Sequence, residues 1–148
     1  MKEKEFIHET PIQIRFNDVD GFGHVNNTVI QEYFDIGRVH YLQDALGADN
    51  LWKDGRHLVI VSNKTDFFQQ TMPGDKVKVL TRIYQLGGKS LRMLQWVLKE
   101  GETGPTATCD SVMVGFNIVT GEGMVLPEDW RSDFNRLEKG RLIPGTVQ

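Results

Sequence analysis

The sequence holds a single cysteine, Cys109, in 148 residues. An internal disulfide is therefore impossible, and with it the disulfide framework that holds many small secreted domains together. Long apolar runs are missing too. The longest aliphatic stretch is Leu58–Val61, against the ~20 residues that a membrane helix needs. The opening residues Met1–Thr10 set Lys2 and Lys4 among Glu3, Glu5 and Glu9, which is not the basic-then-apolar order of a signal peptide. A cytoplasmic location without membrane contact is the resulting expectation. An excess of positive charge is also absent. Lys plus Arg is 17 and Asp plus Glu is 20, for a formal charge of −3, and a nucleic-acid surface needs clustered cations.

What is present is an ordinary globular composition, 39% hydrophobic and 25% charged, which excludes wholesale disorder. No repeat or low-complexity linker divides the chain, so one domain over residues 1–148 is expected. A chain of this length buries roughly 68–70% of its unfolded surface.

The pattern along the chain predicts one long helix and several strands. Pro11–Phe16 alternates Ile12, Ile14 and Phe16 against Gln13 and Arg15, the period of a half-buried strand. A polar, Gly-containing stretch Asn17–Asn27 follows. From Thr28 to Leu46 the apolar residues Ile30, Tyr33, Phe34, Gly37, Tyr41 and Ala45 recur at helical spacing. Val29, Ile36, Leu42 and Leu46 widen that face, so the helix is expected to be mostly buried. Asn26, Asn27 or Thr28 can cap it and Gly47 can end it. Gly37 in its interior weakens the helix by roughly 0.5–1 kcal/mol relative to Ala, and its use is close approach of a neighbouring strand. Strands are predicted over His57–Gln70, Lys76–Leu86, Ser90–Glu100 and Thr106–Val119, with Val112, Val114 and Phe116 sharing one face of the last. Pro127 opens a short helix to about Leu137. Short turns such as Gly87-Gly88 and Gly101–Pro105 imply antiparallel pairing. One apolar helix on an antiparallel sheet is an α+β fold. The sheet must curl around the helix, or a second subunit must cover it.

The chemistry concentrates in Asp18-Val19-Asp20-Gly21-Phe22-Gly23-His24-Val25-Asn26-Asn27, between the first strand and the helix. It places two carboxylates, an imidazole and two amides beside a helix N-terminus, whose free N–H groups and dipole receive negative charge. Backbone donors there suit the oxyanion of acyl transfer, and a neighbouring carboxylate can activate water or attack directly.

The runs Arg15-Phe16-Asn17-Asp18-Val19-Asp20, Gly23-His24-Val25-Asn26-Asn27 and Tyr33-Phe34-Asp35 with Arg38 resemble the signature of hotdog-fold acyl-CoA thioesterases. They are most similar to the 4-hydroxybenzoyl-CoA thioesterase type. His-Val-Asn-Asn is shared with acyl-acyl-carrier-protein thioesterases, which place a catalytic Asn two residues before the His; Phe22 stands there in this chain. The resemblance spans about Ile12 to Trp130. It implies a long curved antiparallel sheet wrapping one central helix, in a homodimer or homotetramer whose partner subunit completes each site. It implies Asp20 as base or nucleophile, the first-turn N–H near Asn27 as the carbonyl's donor, and Gly23 as substrate-binding; His24 falls among the catalytic residues, to orient Asp20 or water or simply to hydrogen-bond within the loop. It further implies coenzyme A phosphate near Gly87-Gly88-Lys89-Ser90, with Lys89 and Arg92 as cations. The implied substrate is an acyl-CoA thioester, and no metal or redox cofactor is implied.

Other readings remain open from the residues alone. Asp18 and Asp20 serve loops as readily as chemistry, and Asp18 can pair with Arg15 or Arg38. Asp18, Asp20 and His24 are metal-ligand types with no further cluster to complete a metal motif. The resemblance also makes Asp35 a second candidate carboxylate, since several hotdog thioesterases use one on the helix; from the residues alone it is simply an i, i+3 partner of Arg38. Cys109 reads as packing. A carrier-protein thioesterase, a hotdog hydratase or dehydratase and a non-catalytic acyl-CoA binding module are the alternative functions.

Overall fold

The computed structural model describes residues 2–144. Five main strands and two helices follow in order: β1 (His8–Ile12), α1 (Asn27–Leu46), β2 (Arg56–Phe67), β3 (Val77–Leu86), β4 (Ser90–Lys99), β5 (Ala107–Asn117), two-residue β6 (Glu122–Gly123), α2 (Glu128–Leu137) and two-residue β7 (Ile143–Pro144). They form one sheet in the order β1-β3-β4-β5-β2, with β6 on β5 and β7 on β3. The main pairings are antiparallel. This is the curved antiparallel sheet and central helix of the hotdog fold.

Strands β3, β4 and β5 begin and end within one or two residues of the sequence expectation. Two strand expectations fail. Pro11–Phe16 is not a strand: β1 stops at Ile12, and Phe16–Asp18 is a 3-10 turn with the Phe16 ring 94% exposed. Hydrogen bonds between Arg15 and Asp18 (the backbone N–H and the guanidinium both donate to the carboxylate) win over the alternation. The short-turn rule also breaks once. β2 does not pair with β3; it crosses over and lies at the open edge beside β5. A bulge between Ile60 and Ser62 shifts its register, so that the inward face carries Leu58 and Ile60 before the bulge and Asn63, Thr65 and Phe67 after it.

α1 starts where Asn26 accepts a hydrogen bond from the Thr28 N–H at 2.7 Å and stops at Gly47, φ 83°. Its buried stripe is the one read from the sequence. Toward its N-terminal half Ile30, Tyr33 and Phe34 pack on Val77, Val79, Val97, Ala107 and Cys109. Toward its C-terminal half Tyr41, Leu42 and Ala45 meet Leu58, Ile83, Leu86, Leu91 and Met113, with Trp130 and Phe134 of α2 closing that end. The helix is less buried than expected, because Ile36 and Val39 lie exposed on its far side.

Gly37 is where helix and sheet come closest. A Cβ there would stand 2.5 Å from Val79 Cγ1 and 3.2 Å from Gln95 Nε2. Gln95, fully buried, donates from that nitrogen to the Phe34 carbonyl at 2.9 Å and to Thr81 Oγ1 at 3.1 Å. Arg38, buried one residue on, donates to Gln95 Oε1 and Ser111 Oγ and pairs with Asp35. Gly37→Ala gains helix propensity of about 1 kcal/mol but forces Val79 or the helix to move at a cost of about 1–3 kcal/mol, so the net is a loss of up to about 2 kcal/mol. Chemical denaturation should show the midpoint fall, and a midpoint that rises would sink this account of the glycine.

Candidate active site

Residues 19 to 25 fold into a small hairpin. Val19 and Val25 face each other as an isolated bridge. The Asp20 N–H donates to the His24 carbonyl at 3.1 Å, and the Gly23 N–H to the Asp20 carbonyl at 3.0 Å. Gly23 has φ 88°, a left-handed backbone that glycine adopts without strain. The hairpin is tied to the segment before β3 through the Val25 N–H, which donates to the Thr71 carbonyl at 2.8 Å.

Asp18 anchors this loop from below. Its side chain is 1% exposed. It accepts from the Arg15 N–H at 2.9 Å, the Arg15 guanidinium at 2.9 and 3.2 Å, and the Tyr33 hydroxyl at 2.7 Å. Its carbonyl accepts the Asn26 N–H at 3.0 Å. Burial alone would push the carboxyl upward. The Arg15 N–H, the Tyr33 hydroxyl and the guanidinium together outweigh burial and hold it below the usual carboxylate range. Of the two cations open to Asp18, Arg15 is its partner, while Arg38 goes to Asp35.

Asp20 is half-buried and held by two donors. The Phe22 N–H reaches Oδ1 at 2.9 Å, and Asn26 Nδ2 reaches Oδ2 at 3.2 Å. Next to it stands the helix N-terminus. Thr28 N–H goes to the Asn26 side chain, and Val29 and Ile30 N–H go to the Asn26 carbonyl. The Asn27 N–H is left without an acceptor among the described residues. Asn26 therefore ties a carboxylate to a helix start that offers a free, dipole-aligned donor one residue on, the two kinds of group needed to deliver water to a carbonyl and to hold the oxyanion.

His24 does not touch Asp20 through its ring. Its Nδ1 lies 3.1 Å from the Val25 carbonyl, which assigns the proton to Nδ1, and Phe22 stacks on the ring at 6.3 Å between centroids. Phe22 is itself 88% exposed. A cleft of ≈ 620 Å³ borders Asp20 and is walled by Ile14, Phe16, Val19 and Pro73. Arg15 also reaches this cleft, but its guanidinium is committed to Asp18 and, at 3.7 Å, to Glu32.

Lys89, Ser90 and Arg92 are not near this loop within one chain. The Asp20 loop sits at the end of the sheet where β3 begins; the 87–90 turn sits where β3 ends, beside Leu86 and Leu91. Ten residues of strand separate the ends, roughly 30 Å. In that turn Lys89 is exposed, Ser90 is buried, and the Gly87 N–H donates to the Ser90 carbonyl. Arg92 lies on the outer sheet face near Tyr84, whose hydroxyl donates to Asp110. Sequence reasoning did not find Tyr33 as a ligand of Asp18 or Asn26 as a ligand of Asp20; neither pairing leaves a periodic signal. Among the described residues no three His, Cys, Asp or Glu side chains are grouped to hold a metal, and no helix is long and apolar enough to cross a membrane.

Comparison with known proteins gives concordant matches. The family model for the thioesterase-like superfamily matches residues 14–134. A thioesterase from Thermus thermophilus, solved with coenzyme A and Zn, is 32% identical, with 92% of this chain and 97% of that chain covered at a TM-score of 0.80. A predicted thioesterase from Bacillus stearothermophilus is 29% identical over 93% and 97% of the two chains, TM-score 0.78. A chloroplastic acyl-acyl carrier protein thioesterase, ATL3 of Arabidopsis thaliana, is 32% identical over 77 residues, 51% of this chain and 40% of that protein.

Tyr33→Phe removes one hydrogen bond from a buried carboxylate, a loss of roughly 1.5–3 kcal/mol. Asp18 titrates below its unfolded value of about 3.9, so its contribution is complete above that pH and is lost as pH falls through the lower, folded value. The deficit of Tyr33→Phe against the parent should thus be full at pH 7 and shrink below about pH 4. Urea midpoints at the two pH values check it; an equal deficit at both contradicts it.

Proposed function

The chain belongs to the thioesterase-like superfamily, a hotdog-fold thioester hydrolase, and from that premise we propose that it hydrolyses acyl-CoA with Asp20 as the carboxylate and the Asn27 N–H as oxyanion donor. The observation that carries this reading is a fixed carboxylate bonded to Asn26, the residue before an unengaged first-turn N–H. Asp20 takes a proton from water as its oxygen bonds to the thioester carbonyl carbon. The carbonyl electrons move to the oxygen held by Asn27. On collapse the C–S bond breaks, the thiolate leaves and takes a proton, and the products are a carboxylic acid and coenzyme A. His24 supports the loop through its backbone carbonyl rather than by orienting Asp20.

The cleft beside Asp20 supports an uncharged acyl group. Its walls are mainly apolar, and its one cation is already neutralised by two carboxylates. An acyl chain ending in a second carboxylate would meet no free positive charge from the residues of this chain that line the cleft.

We further read the enzyme as a dimer that pairs β2 with the β2 of a second copy. β2 is twelve residues long, lies at the sheet edge and is exposed from Ile60 through Lys64. Proteins rarely leave such an edge open. Antiparallel pairing across a two-fold axis would set the Lys89 turn of one subunit at the same end as the Asp20 loop of the other. That placement reconciles two groups that one chain keeps roughly 30 Å apart.

In a thiol-release assay Asp20→Asn should fall by roughly 10²–10⁴-fold with an unchanged melting curve, and uncharged acyl-CoAs should be turned over faster than their ω-carboxyl counterparts. Undiminished turnover in Asp20→Asn removes the assignment. Matched coenzyme A and carrier-protein thioesters decide between the two carriers. Co-expression of Asp20→Asn with Lys89→Glu tests the shared site. Mixed dimers hold one intact site if the two residues come from different subunits, so activity should exceed that of either variant alone; no recovery points to a site within one chain.

A further inference from the structure

We infer that Asn26 is a positioning residue for hydrolysis, its single side-chain amide setting both the helix N-terminus that holds the oxyanion and the carboxylate that activates water. This rests on Asp20 as the base and goes beyond it. Asn26 Oδ1 accepts the Thr28 N–H at 2.7 Å, and Nδ2 donates to Asp20 Oδ2 at 3.2 Å. The two atoms are opposite ends of one planar group, so the bonds fix each other's direction. The backbone of Asn26 is held on both sides as well. Its N–H donates to the Asp18 carbonyl at 3.0 Å, and its carbonyl accepts from Val29 and Ile30 at 2.9 and 3.1 Å.

As a cap alone, Asn has no advantage over Asp or Ser, which serve about equally well at a helix start. What distinguishes Asn is that it accepts at one atom and donates at the other. Asp offers acceptors only, and would set a second negative charge against Asp20. Ser keeps the cap and is too short to bridge. Asp20 Oδ1 is held independently by the Phe22 N–H, so removing the amide frees one oxygen without collapsing the hairpin. The result is a base able to swing relative to the Asn27 N–H.

The charged groups that bear on Asp20 are already paired. Arg15 reaches the cleft from the β1 side but is bound to Asp18 and Glu32, Asp18 faces Arg15 and Tyr33 on α1, and His24 in the hairpin turns Nδ1 to the Val25 carbonyl. Among the described residues of the same chain, a new carboxylate at position 26 therefore acts on Asp20 without a free cation to neutralise it.

The test uses Asn26→Ser and Asn26→Asp in the full chain, beside Asp20→Asn. Both Asn26 variants keep a capping side chain, and thermal melts check that the fold stands. Asn26→Ser should lower kcat by roughly 10–100-fold with KM little changed, the size expected when a reacting group loses its alignment. Asn26→Asp should move the acid limb of the kcat–pH profile upward by about one pH unit, through like-charge repulsion, with activity recovering at higher pH. A merely structural cap would show neither the kcat-only loss nor the displaced limb. If both variants match the parent while Asp20→Asn is inactive, the positioning role is overturned and the base stands. If Asp20→Asn retains full activity, the base falls and the role of Asn26 falls with it.

Discussion

The carboxylate of Asp18 is the point on which the loop before α1 depends. A buried negative charge is tolerated only when several donors surround it, and here they come from different elements. Arg15 supplies a backbone N–H and a guanidinium from the exit of β1, and Tyr33 supplies a hydroxyl from the second turn of α1. The backbone of the same residue then takes the Asn26 N–H. Two ends of a ten-residue polar loop are in this way brought onto one residue. The hairpin that carries Asp20 is short because its ends are already fixed, and its free side is the one turned to solvent.

Much of this was legible in the residues. The helix could be read because Ile30, Tyr33, Phe34 and Tyr41 all touch the sheet at a spacing that only a helix reproduces, and Gly37 announced the close contact with Val79 that the structure contains. The strands β3, β4 and β5 alternate because one face meets α1. The errors fall where local side-chain hydrogen bonds override a period. Ile12, Ile14 and Phe16 alternate as a strand would, yet Arg15 and Asp18 close a turn on each other and throw Phe16 outward. The apolar identity of Ile36 suggests a covered far side of α1, yet identity does not say what covers a residue, and Ile36 and Val39 lie exposed in the single chain. At the candidate site the residue types and the loop were visible, but not the joining of Asn26 to Asp20 or the distance of Lys89 from both. Those are matters of three-dimensional register that no single-chain spacing encodes.

The two halves of the core divide the labour along α1. One half, from Val25 to Cys109, fixes the helix start and with it the candidate chemistry; the other, from Tyr41 to Phe134, closes the opposite end with α2. Gln95 and Arg38 lie between them as a polar seam bonded to helix and sheet alike. Such a seam is intolerant of sliding, because a shift of α1 along the sheet would strand several buried donors at once. The rigidity of the helix start is thus set partly by residues well away from it.

The crossover of β2 has a consequence for how the chain reaches this state. β2 is complete at Phe67, but the strand it pairs with ends only at Asn117, and β3 and β4 lie between them in sequence. During synthesis the β2 segment, with Phe67 and Phe68 at its end, must wait for β5 before either of its edges finds a ladder. Pairings of this sequence separation close late and slowly, and a strand with exposed apolar residues and unpaired edges is prone to wrong association. The hairpin of β3 and β4 forms from near neighbours and can stand ready as the template. Folding is therefore expected to run outward from the middle of the sheet, with the strand at its edge the last to be set.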